Sequence, residues 1–206
     1  CTTFGKYNTV IGFNTGYNTT TGNDNIFLGQ AAGYNNTSGC YNVAVGSITL
    51  DSNTTGNNNI GTGYAALTNN TIGNNNIAQG YRSLYQNTLG SNNIAQGFKA
   101  LYNNAGGDNI ALGAATLYNN TTGNDNSSFG KYSLSANTTG SNNIALGSSS
   151  LLANTTGGTN VAIGYQSLNK SNSLGNSTSS SEVDSFLENI NLWSCQSGMK
   201  QICMLH

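Results

Sequence analysis

The stretch TTGSNNIALGSSSLLANTTGGTNVAIG, Thr138 to Gly164, contains the phrase NNIALG and, 17 residues on, its near copy TNVAIG. The glycine closing each such phrase falls at Gly12, Gly29, Gly46, Gly63, Gly80, Gly97, Gly113, Gly130, Gly147 and Gly164. Every step is 17 residues except the 16 between Gly97 and Gly113. A second series runs through Gly22, Gly39, Gly56, Gly73, Gly90, Gly107, Gly123, Gly140 and Gly157. A short fixed period marks a solenoid, in which each unit buries its apolar face on its neighbours. The unit is too short for a helix pair and lacks the leucine-rich line LxxLxLxxN. Short strands joined by turns fit it. The predicted fold class is therefore all-β, a parallel β-solenoid of about ten coils over residues 1–175. Residues 176–206 are expected to form a linker and a C-terminal capping segment.

Columns of equivalent residues predict what lies inside. Ile144 and its equivalents stand three before the glycine, and Leu146 and its equivalents one before it. Both columns are mainly apolar and two apart, so they share one face of a strand. That face is expected to be the core. The small column between them, Ala44, Ala78, Ala95, Ala111, Ala145 and Ala162, is then expected to point outward, towards a neighbouring chain. A leucine column, Leu50 to Leu168, follows four residues after the glycine and requires a corner to reach the same interior. An asparagine opens every strand, from Asn8 to Asn160, and is expected to form an amide ladder from coil to coil. The chain has no proline, as suits backbone whose N–H groups pair with the next coil.

Composition narrows the function. Lys and Arg together number 6 in 206 residues, too few for a nucleic-acid face or a polybasic membrane patch. No run of 18 apolar residues exists, so no membrane insertion is expected. Nothing reads as a signal peptide, and the chain opens at Cys1 inside the repeat, as a processed chain or a fragment would. The only histidine is His206 and the acids are scattered, so no catalytic residues, metal site or cofactor are predicted. Asp24, Asp108 and Asp125 share a column held elsewhere by Asn58, Asn75, Asn92 and Asn142. Calcium favours several oxygen ligands. Asp24, however, stands about five coils from Asp108, so a turn column is the better reading.

The phrase Asn143-Ile144-Ala145-Leu146-Gly147 resembles the N-x-A-x-G head repeats of trimeric autotransporter adhesins. The whole 17-residue unit is similar to fibre repeats of bacteria, phages and large DNA viruses. The resemblance covers about residues 1–175. It implies a left-handed β-roll, a homo-oligomer (trimer or filament) and a place at a cell or virion surface, outside the cell. The adhesin head repeat is shorter, typically 14 residues, so the additional three belong in a turn here. Within the 206 residues, neither a coiled-coil stalk nor a membrane anchor is expected.

Three features bear on ligands. Tyr85, Tyr102 and Tyr118 beside Arg82 and Lys99 form the best aromatic and basic patch, read either as stacking between coils or as a contact for a surface glycan or receptor. Thr54, Thr71, Thr88, Thr121, Thr138 and Thr155 form a column suited to an ice-binding surface or to a plain turn. Asn53, Asn120, Asn137 and Asn154 open N-x-[ST] sequons. In the tail, Ser181 and Asp184 have capping-box spacing for a short helix over 182–191, and Cys195 and Cys203 can pair in an oxidising compartment. The predicted function is a non-enzymatic structural and adhesive fibre segment. The alternatives are an ice-binding solenoid and a purely structural filament subunit.

Overall fold

A computed structural model describes residues 5–169. The predicted 182–191 helix, the Cys195–Cys203 pair and the capping segment lie outside the described residues. Ten three-residue strands follow at the predicted period: β1 (Thr9–Ile11), β2 (Ile26–Leu28), β3 (Val43–Val45), β4 (Ile60–Thr62), β5 (Ile77–Gln79), β6 (Ile94–Gln96), β7 (Ile110–Leu112), β8 (Ser127–Phe129), β9 (Ile144–Leu146) and β10 (Val161–Ile163). They form one parallel sheet in chain order. Register is set by the repeat, Ile60 beside Ile77 and Ala78 beside Ala95. The protein is a parallel β-solenoid. Ten strands at about 4.8 Å spacing make a rod roughly 45 Å long.

After each strand the chain turns at the recurring glycine, as at Gly147 with φ 136°. A Cβ there would lie 2.3 Å from the carbonyl oxygen of Gly164, so only glycine lets successive coils stack so closely. Two left-handed residues follow, Ser149 (φ 58°) and Leu151 (φ 49°) in that coil. Backbone groups across the turn still pair along the rod. The Lys99 N–H donates to the Tyr81 carbonyl (2.9 Å) and the Leu84 N–H to that of Ala100 (3.0 Å). The missing residue of the 16-step coil lies between Asn104 and Gly106. Gly106, rather than Gly107, occupies the second glycine column and accepts from Asn104 Nδ2 at 2.7 Å.

The strands face opposite to the sequence expectation. Ile144 and Leu146 are 46% and 47% exposed, whereas Ala145 between them is fully buried. The alanine column lines the interior against Leu50, Leu67, Leu84, Leu101, Leu117, Leu134 and Leu151, all fully buried as expected. Volume is the reason. Each coil is one leucine thick, so the strand residue opposite that leucine must be small. A Cβ added at Gly61 would already lie 2.6 Å from Thr49 Cγ2 and 3.8 Å from Leu50 Cδ1. Where the leucine column holds glycine, the alanine column swells: Phe27 stands opposite Gly33. Phe27 is itself buried, and a Cβ on Gly33 would come within 2.6 Å of its ring.

Two asparagine ladders flank this thin core. In the predicted one, each side-chain oxygen accepts from the next backbone, as Asn76 Oδ1 does from the Asn93 N–H at 3.0 Å. Its amide meanwhile donates across the coil, Asn76 Nδ2 to the Gly90 carbonyl at 2.8 Å. The second ladder runs through Asn36, Asn53, Asn70, Asn87, Asn104, Asn120, Asn137 and Asn154, each amide from Asn53 onward donating to the preceding asparagine. Buried amides are tolerated because nearly every polar atom finds a partner.

Candidate functional surfaces

With alanine inside, the strand face towards solvent is mainly apolar. Ile26, Ile60, Ile77, Ile94, Ile144 and Val161 form one exposed column. The parallel column carries Ile11, Val45, Leu146 and Ile163, with Gln79 and Gln96 at mid-rod, where Gln96 Nε2 donates to Gln79 Oε1 (2.9 Å). Beside it runs a ring ladder, Tyr64–Tyr81–Phe98, with centroids 5.4 Å apart and planes within 12°.

The predicted tyrosine patch is assembled as a second ladder. Tyr85, Tyr102 and Tyr118 stack at 5.1 and 5.0 Å, so their faces are largely spent on one another. Arg82 and Lys99 lie between the two ladders. The Arg82 guanidinium is 5.2 Å from the Tyr81 ring and 5.3 Å from that of Tyr85. Lys99 Nζ is 5.3 Å from Phe98, 5.6 Å from Tyr102 and 6.0 Å from Tyr118. These are cation–π contacts, strongest where water is partly excluded. Arg82 Nε is covered and has no hydrogen-bond partner.

Comparison with protein-family models, curated proteins and solved structures gave no match.

The remaining candidates are placed as follows. Threonine hydroxyls of the turn column donate to carbonyls one coil on, Thr54 to Thr71 at 3.0 Å and Thr121 to Thr138 at 2.9 Å. The column thereby ties coil to coil. The sequon asparagines Asn53, Asn120, Asn137 and Asn154 are buried rungs of the second ladder, so the folded rod offers none of them to a glycosylating enzyme. The Asp24, Asp108 and Asp125 column is a turn column, with φ of 55°, 58° and 55° shared by Asn58, Asn75, Asn92 and Asn142. Asp108 accepts from Asn92 Nδ2 at 3.0 Å. Among the described residues, no three or more His, Cys, Asp or Glu side chains come together in a way that would hold a metal ion. No helix among them is long and apolar enough to cross a membrane. Asp51 stands in the tyrosine column, and burial raises its carboxyl pKa against the opposing effect of a side-chain hydrogen bond with Ser52.

Proposed function

We propose that the rod is a structural and adhesive segment of a fibre at a cell or virion surface, with no catalytic role. It assembles as a trimer or filament through the strand face. The observation that carries this reading is the mainly aliphatic, solvent-exposed strand face of the sheet, interrupted by Gln79 and Gln96 at mid-rod and by Ser127. Soluble monomers rarely leave contiguous apolar patches of more than a few hundred Å² open. Two side-chain columns along a ten-strand sheet cover a footprint of roughly 500 Å² before the ring ladder beside them is added. That approaches the ~800 Å² each partner contributes to a stable interface. The repeated register supplies stiffness, and side chains between and at the ends of the two ring ladders remain for contact with a glycan or receptor.

Electron microscopy of the native assembly tests the reading. Slender projections from a surface, containing the rod in several parallel copies, are expected. Free single rods in solution would sink it. The competing ice-binding role draws no support from threonine hydroxyls already donated along the rod. Thermal hysteresis lost on Thr121→Lys and Thr138→Lys would revive it.

A further inference from the structure

The two outer columns that carry Phe98 and Lys99 are broken once within the aromatic region. Coil by coil, the residue after the strand glycine reads Tyr64, Tyr81, Phe98, Ala114, Lys131, and the next column reads Ala65, Arg82, Lys99, Ala115, Tyr132. At β7 both positions are alanine. Coils before and after it each present one aromatic and one cation, placed crosswise: Phe98 opposite Lys131, and Lys99 opposite Tyr132. Backbone pairing fixes the three coils in register. The Ala115 N–H donates to the Phe98 carbonyl (2.8 Å) and the Tyr132 N–H to that of Ala114 (3.0 Å).

The result is a slot one coil wide, floored by Ala114 and Ala115. Its flanks stand two strand spacings apart, roughly 10 Å. Two contact distances of about 3.5–4 Å leave room for a single ring. Phe98 ends its ladder here. One of its faces is covered by Tyr81, Lys99 Nζ lies 5.3 Å from the ring centroid, and Phe98 is 52% exposed. Tyr132 is likewise exposed. Lys131 Nζ lies 4.9 Å from the Tyr132 ring. Lys99 and Lys131 carry π contacts but no ion pair among the described residues. Ring faces attract the cations without neutralising them, so two ammonium groups border a slot beside a half-exposed aromatic ring.

We propose that this slot binds a carboxylate-bearing pyranose of an acidic glycan. The C–H face of the sugar stacks on Phe98, as apolar and slightly positive hydrogens do on an aromatic face. The carboxylate pairs with Lys99 and Lys131 through charge-assisted hydrogen bonds. A nucleic acid is a poor fit, because a chain of closely spaced phosphates needs more cations than the two at this slot. The proposal rests on the adhesive reading and names its ligand class.

Calorimetric titration of the full chain with a hyaluronan octasaccharide, and with its carboxyl-reduced form, tests it. The acidic sugar is expected to bind at least tenfold more tightly than the reduced one, and more weakly as salt rises. Lys99→Gln with Lys131→Gln should lower affinity at least tenfold. Ala114→Tyr, which continues the ladder into the slot, should abolish binding while circular dichroism and melting stay unchanged. Equal binding of both sugars, lost in Ala114→Tyr, overturns the acidic ligand but keeps adhesion. Binding unaffected by Ala114→Tyr overturns the slot. An octaglutamate peptide bound as tightly as the sugar also overturns it, by reducing the site to charge alone. Absence of all sugar binding defeats the slot and glycan adhesion together, leaving the fibre role to the micrographs.

Discussion

Phe27 and Gly33 together replace the alanine–leucine pair of later coils, and exchanging them probes how the core is filled. Phe27→Ala empties a fully enclosed ring site and should cost about 3–5 kcal/mol. Gly33→Leu drives a side chain into that ring. Overpacking of about 1–3 kcal/mol adds to the ~1–2 kcal/mol of a left-handed residue at φ 59°. In the double variant the leucine enters the space the ring has left, as Leu50 does beside Ala44. Only the backbone term remains, so the cavity and overpacking costs both vanish and the coupling energy should be about 4–8 kcal/mol in favour of the pair. Solenoids unfold in parts, and a single global transition is a poor gauge. Native-state hydrogen exchange at the residue-33 amide, which donates to the Thr49 carbonyl at 2.9 Å, reads the local stability instead. If the two substitutions add to within about 0.5 kcal/mol, the side chains do not share one space and the packing argument fails.

Asn87→Ala removes the donor to Asn70 Oδ1, whereas the Gly90 carbonyl keeps Asn76. It also removes the acceptor of one Asn104 Nδ2 N–H, so an orphaned buried acceptor and an orphaned buried donor, at about 1–3 kcal/mol each, predict a loss in chemical denaturation with weakened exchange protection on both adjoining coils. Burial raises the Asp51 pKa, so the fold favours the protonated acid. Its contribution is fully present below the unfolded value of about 3.9 and is lost as pH rises through the folded value. Asp51→Asn should therefore melt higher at pH 7 and flatten the acid side of the melting profile; an unchanged profile would refute this. Thr159 is β-branched, exposed and left-handed at φ 58°, in a column held mostly by Asn and Asp. Thr159→Asn should stabilise the last coils by about 1 kcal/mol, read as slower exchange at the Thr159 amide.

The period, the coil number, the parallel stacking and the first asparagine ladder were all legible in the sequence. So was the buried leucine column. The inward face was not, because alternation defines two faces of a strand without saying which is enclosed. Packing volume decides that, and the sequence held two signs of it. Gln79 and Gln96 sit in a column that could not have been a dry core. Val10 and Phe27 appear only where Gly16 and Gly33 replace leucine. The second ladder was hidden for another reason: Asn53, Asn120, Asn137 and Asn154 read as surface sequons until their amides were seen stacked inside. The slot over Ala114 and Ala115 was invisible because it depends on knowing that those two columns point outward.

Sedimentation equilibrium of the intact chain, beside an Ile77→Lys, Ile94→Lys variant, tests most directly whether the strand face is an interface between copies. Both isoleucines are exposed in the single rod, so the variant should keep its circular dichroism and melting behaviour. The wild-type chain is expected to sediment as a trimer or larger at micromolar concentration and the variant as a monomer. A wild-type monomer, or a variant that assembles equally well, would contradict the account.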